Sequence, residues 1–194
     1  MDEWILLGSV VRLQIHRTEI VYGGEYHVEH LARVESLWLT QGGVVGLVGG
    51  AAVLDYHHRD HPDLTKFKPG RQLSIGFTGH YDVMRNHFGD VPLGIAAESI
   101  VVDHPGQLTE PEVSAGLRIQ TKTGPIDLAG ASVAKPCLPF TGFLLGPHAD
   151  QADIVGHRPL LDGGVRGFVM SLAGLQNGGV MVNEGDQVFR RLAV

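Results

Sequence analysis

The sequence predicts a mainly β protein whose sheet is closed or partly closed into a barrel, with one or two short peripheral helices. Three observations carry this reading. The chain has 27 glycines and 10 prolines in 194 residues, a density of turn formers that favours many short strands. Apolar runs of strand length recur between those turn signals. Closing such a sheet is a simple way to remove exposed strand edges.

In chain order, residues 5–15 form the first strand. Residues 33–39 (RVESLWL) form a second with little polar exposure, and Gly42-Gly43 turns the chain into VVGLV. Residues 71–77 are a further short strand. Thr78 then caps a helix over about 79–88, with Tyr81, Met84 and Phe88 on one face and Gly89 as its stop. Residues 98–102 read as a strand. Leu117, Ile119 and Thr121 alternate with Arg118, Gln120 and Lys122, a half-buried strand with a wet face. Thr123-Gly124-Pro125 turns the chain into residues 126–134. Residues 167–172 and 179–182 flank Asn177-Gly178, a hairpin signal, and Glu184-Gly185-Asp186 turns into QVFRRL. This gives about nine or ten strands and one clear helix, with no repeat and no linker. The expectation is one domain over 1–194.

Composition narrows the function. At 43% hydrophobic and 19% charged residues, the chain can bury a core. A net charge of −6 argues against a broad nucleic-acid-binding face. No run approaches the ~18 apolar residues of a membrane span. The first apolar run follows two acids, so a signal peptide is not expected. A single cysteine excludes an internal disulfide framework and makes a reducing cytoplasm the default. Oligomeric state is not legible.

That cysteine, Cys137, lies in AKPCLPF. Pro136 and Pro139 do not fit a central strand, so a strand ends here and leaves the thiol at a sheet margin or in a loop. In extended backbone Lys135 and Cys137 share a side, and a nearby ammonium favours the thiolate that binds metals and attacks electrophiles. The alternative is a packed cysteine beside a surface lysine.

His57, His58, Asp60 and His61 fall within five residues. Histidine and aspartate at this density could hold zinc or iron. Pro62 and the polar surroundings suggest a loop instead, either a rim for an anionic ligand or a plain polar turn. His80 and His87 read as surface positions.

The runs RVESLWLTQGGVVGLVGG, ESIVVD, LAGASVAKPCLPF and RGFVMSLAGLQNGGVMVNEGDQVF together resemble the MOSC family, the molybdenum cofactor sulfurase C-terminal domains and their free-standing relatives. Lys135-Pro136-Cys137 matches the family's Pro-Cys element. Arg166-Gly167-Phe168 and Glu184-Gly185-Asp186 match its later Gly-rich strand and its Gly-Asp before the last strand. Where the family often has a Gly-Asp-Arg-His-like stretch, this chain has LDYHHRDHPD. Where it often has Glu-Asn, this chain has Glu98-Ser99.

The resemblance implies a MOSC-like barrel that binds a molybdenum–pterin cofactor, with Cys137 as the catalytic residue and metal ligand. Lys135, Arg59, Arg71 and Arg166 are the candidates for its anionic phosphate, with Glu98, Ser99, His57 and His58 as further cofactor-binding positions. The implied activity is a reductase component acting on N-hydroxylated small-molecule substrates and fed by a separate electron donor. A sulfur carrier for cofactor maturation, loaded by a cysteine desulfurase through a Cys137 persulfide, is the alternative. A third reading is a non-enzymatic barrel that binds a ligand or partner.

Overall fold

The structure is a computed structural model that describes residues 3–175 and 178–192. Its strands are β1 (Trp4–His16), β2 (Val21–Tyr22), β3 (Glu25–Tyr26), β4 (Leu31–Arg33), β5 (Ser36–Thr40), β6 (Gly43–Val48), β7 (Ala51–Leu54), β8 (Leu73–Phe77), β9 (Ile100–Val102), β10 (Leu117–Thr121), β11 (Gly124–Leu128), β12 (Ser132–Val133), β13 (Phe168–Met170), β14 (Val180–Asn183) and β15 (Gln187–Arg191). The α-helices are α1 (Thr78–Phe88), α2 (Glu110–Ser114), α3 (Leu138–Leu145) and α4 (Gln151–His157).

One sheet runs β11-β10-β15-β1-β9-β8-β13-β12, with β4 added on β1. A second sheet runs β14-β5-β6-β7. The long strand β1 organises both the sheet and the site. It pairs with β15 along its first half, with β9 in its middle and with β4 at its end, shifting register after Leu6 and after Val10. The large sheet curls into a half-barrel but does not close, because β11 and β12 remain its ends. Of the two expected forms the partly closed one is found and the fully closed one is not, and the mainly β class holds. The strands divide between two sheets, with Leu13, Ile15, Leu37, Leu39, Ile75 and Val182 buried in the main core.

Several local expectations change. The run 33–39 breaks at Val34 and Glu35 into β4 and β5, which join different sheets. Residues 167–172 and 179–182 do not pair as a hairpin: β13 lies beside β8 and β12, and β14 lies beside β5. Asn177 falls outside the described residues. Among the described residues there are four α-helices instead of one or two.

Helix α1 forms where its face predicts, with Tyr81 and Met84 fully buried. Gly89 closes it at φ 82°, its N–H bonding the Arg85 carbonyl. Thr78 is its first residue and not its cap; its hydroxyl ties to Asp103 and His104 instead. Because α1 connects the parallel strands β8 and β9, the return segment 89–99 must cross back over the sheet, and that segment carries much of the site. Among the described residues no helix is long and apolar enough to cross a membrane.

Candidate functional site

β12 stops at Val133, residues 134–137 are irregular as expected, and α3 begins directly after the thiol. Cys137 is its N-cap residue and Pro139 lies in its first turn, where a missing N–H costs nothing. The Cys137 carbonyl accepts from both the backbone N–H and the hydroxyl of Thr141. Cys137 is a free, half-buried thiol.

The cation against this sulfur is Arg166, not Lys135. Arg166 Nη1 lies 3.3 Å from Cys137 Sγ and 3.2 Å from the Lys135 carbonyl. Its Nη2 donates to the Ala96 carbonyl at 3.3 Å, and the guanidinium stacks 4.4 Å over the Phe140 ring. Arg166 precedes β13, next to Gly167, whose φ of 80° no side chain adopts cheaply.

Beside this pair lies a cleft of about 190 Å³, lined among others by His16, His57, Arg71, Glu98, Ser99, Lys135 and Arg166. Six of the nine residues expected from sequence therefore meet in one place. Cys137 is not part of the cleft's lining and is linked to it through its contact with Arg166. The other two do not line it either. Arg59 stacks on Phe67, 5.7 Å from its ring centre. His58 is buried beside Gly42 and Gly43, with its Nδ1 accepting from the Asp60 N–H. His61 likewise pins the turn, with Nδ1 accepting from the Asp63 N–H. The histidine cluster thus divides, and only His57 faces the cleft.

Glu98 is 1% exposed. Its Oε2 accepts a 2.6 Å hydrogen bond from the Tyr81 hydroxyl, and its Oε1 is buried without a partner. Burial pushes its carboxyl up to about 7, although the Tyr81 hydrogen bond and the charge of Arg166 pull the other way. A carboxyl poised there can hold or release a proton near neutral pH. Ser99 has a structural role: its N–H donates to the Ser74 hydroxyl, and the two hydroxyls lie 3.2 Å apart.

The segment 94–97 is clamped from both sides. The Tyr81 hydroxyl accepts from the N–H groups of Gly94 and Ala96. From β1, Gln14 Nε2 donates to the Gly94 carbonyl, and His16 Nε2 bonds the Ala97 carbonyl, each near 2.8 Å or less. Ala97 is held at φ 71°, a strained setting of the kind functional sites store. His16 is the main residue that sequence reasoning missed. The signal was present: Arg12, Gln14 and His16 form a polar stripe at period two on a strand otherwise suited to burial.

Asp55, directly after β7, bridges the sheet and the turn. Its Oδ2 accepts from the His16 backbone N–H and its Oδ1 from the N–H and Nδ1 of His57. Burial would raise its carboxyl, but the His57 hydrogen bond and the His16 and His57 charges outweigh it and hold it at about 2. His80, expected at the surface, is fully buried; its Nε2 accepts from the Leu108 N–H, and burial lowers it to about 4.

No protein family matches the chain, and no curated protein does. Among solved structures, the YuaD protein from Bacillus subtilis is similar over 100% of both chains, with a TM-score of 0.63 and 16% identity. A hypothetical protein is similar over 93% of this chain and 69% of its own, with a TM-score of 0.50 and 15% identity. At these identities the likeness concerns the fold.

Proposed function

We propose that the chain binds a molybdenum–pterin cofactor in the manner of the MOSC proteins it resembles and serves as a reductase component for N-hydroxylated small molecules. The observation that carries this is the pairing of the Cys137 sulfur with Arg166, which itself lines the cleft shared by Lys135 and Arg71. The donor set fits the group. A thiolate is a soft ligand for such a metal, and three converging cations suit its anionic phosphate. The partnerless Glu98 Oε1 and Arg166 Nε atoms leave polar capacity for a ligand.

Cys137 would hold the metal, while Lys135, Arg71 and Arg166 would hold the anionic part. When bound, the group supplies the two-electron chemistry. Arg166 neutralises charge at the sulfur, and Glu98 holds a proton at its carboxyl. Tyr81, hydrogen-bonded to Glu98, fixes the carboxyl's position. Electrons come from a separate donor protein.

The test is molybdenum and pterin analysis of wild type beside Cys137→Ser, both purified from a cofactor-competent host. Wild type is expected to carry molybdenum and the variant to lose it. Equal molybdenum in both removes Cys137 as ligand, and a folded wild type without molybdenum overturns the reading. In that second case the persulfide alternative is read by mass spectrometry: incubation with a cysteine desulfurase and cysteine adds about 32 Da, one sulfur atom, to Cys137.

A further inference from the structure

His16, Asp55 and His57 each offer one donor atom, and all three atoms lie within 4.8 Å of one another. We propose that they form a divalent transition-metal site of the two-histidine, one-carboxylate type, separate from Cys137 and independent of the molybdenum reading. The trio is assembled by the fold. His16 ends β1, while Asp55 and His57 follow β7 in the other sheet.

His16 argues most strongly. It is 5% exposed, and its Nδ1 is buried with no hydrogen-bond partner. An orphaned buried ring nitrogen is destabilising and calls for a ligand. Its other nitrogen, Nε2, lies 2.8 Å from the Ala97 carbonyl. That carbonyl can only accept, so Nε2 carries the hydrogen and Nδ1 presents its lone pair. A histidine whose far N–H is locked by a carbonyl is the usual arrangement of a metal ligand.

The other two members complement it. Asp55 is 1% exposed and is held as a carboxylate by the N–H groups around it. The His57 side chain is 40% exposed and has room to move. The His57 Nδ1–H donates to Asp55 Oδ1 at 3.0 Å. Ligands about 2.1 Å from a tetrahedral metal stand about 3.4 Å apart, so binding releases that proton to solvent and puts the metal in its place. Imidazole with carboxylate suits zinc, iron(II), manganese(II) or cobalt(II). Three protein ligands leave an open position, as in catalytic sites, and both histidines line the cleft. The charge of Arg166, which is felt at His16, opposes a dication. The Asp55 carboxylate, and any anion drawn in by Lys135 and Arg71, offset it.

The test uses the full chain grown without molybdenum, stripped by a chelator and titrated with cobalt(II) while its visible absorption is followed. The expected result is one equivalent bound with no thiolate-to-cobalt charge-transfer band. Cys137→Ser keeps that uptake, and His57→Ala weakens it at least about 10- to 100-fold. Thermal melts check folding, and His57→Leu replaces the alanine variant if that one is unstable. The proposal is overturned if wild type takes up no stoichiometric cobalt, or if the His57 variants bind as tightly as wild type. It is also overturned if uptake depends on Cys137 alone. None of these outcomes bears on molybdenum content, which is read separately.

Discussion

Arg166 and Cys137 are 29 positions apart in sequence, yet the guanidinium lies 3.3 Å from the sulfur. The contact joins two of the short motifs on which the MOSC resemblance rests, Lys135-Pro136-Cys137 and Arg166-Gly167-Phe168. It is held in place by the carbonyls of Lys135 and Ala96 and by the Phe140 ring. A guanidinium fixed there counters negative charge on the sulfur as a bond to it forms or breaks.

Arg166→Gln should therefore slow alkylation of the native Cys137 thiol by iodoacetamide, by about 10-fold. The rate is followed by mass spectrometry at constant pH. Arg166→Lys should recover part of it, because charge returns but the planar fork does not. A glutamine variant that reacts at the wild-type rate would assign Arg166 a packing role only.

Glu98 sets a pH dependence whose sign can be worked out. Its carboxyl is raised from 4.5 to about 7 in the folded chain. Below 4.5 it is neutral in both states. Between 4.5 and 7 the unfolded chain ionises while the folded one does not, so the folded state loses stability as pH rises. The difference is worth about 3 kcal/mol. Glu98→Gln keeps an acceptor for Tyr81 and has no charge to bury. Urea unfolding should find it more stable than wild type at pH 8, with the gap shrinking toward pH 4.5. A gap that is constant with pH would sink this account.

Much of this could be read from the chain. The polar face of β10 and the stop of α1 at Gly89 follow from local pattern. So does the end of β12 before the prolines. The site was legible only where a motif named its residues. Tyr81 read only as part of a helix face and His16 fell just past the first strand, because their partners, Glu98 and Ala97, are remote in sequence. Whether the sheet closes fully or only in part was equally undecided in the chain. Which strand neighbours which is a non-local choice, and β13 and β14 separate despite a strong turn signal between them. Helix α3 was missed because its apolar residues run all round it and leave no periodic face.

His80 works in the opposite sense to Glu98. Burial lowers it from 6.5 to about 4, so it stays neutral in the core while the unfolded chain takes up a proton. Its contribution is fully present above 6.5 and is lost as pH falls toward 4, again by about 3 kcal/mol. His80→Gln should be less stable than wild type at pH 7, since the Leu108 N–H loses a fitted acceptor. The gap should narrow as pH drops to 4. Unfolding midpoints across that range decide it, and a gap that widens on acidification would mean His80 is charged in the folded chain.

Gly167 tests the support of the site. Its φ is 80°, and a Cβ there would run into the Ile75 carbonyl on β8 and lie 3.2 Å from Glu98 Cγ. Gly130 has a similar φ of 69°, but a Cβ there meets nothing within 4 Å. The two glycines therefore separate backbone strain from collision. Gly130→Ala should cost only the left-handed conformation, about 1 kcal/mol. Gly167→Ala carries that cost plus the displacement of backbone or of Glu98, and should lose about 2–4 kcal/mol. Because Arg166 is the preceding residue, Gly167→Ala should also slow Cys137 alkylation in the manner of Arg166→Gln, and Gly130→Ala should not. Equal stability losses in the two variants would show that β8 and β13 yield at this point, and that the close approach of Gly167 is not what holds Arg166 against the sulfur.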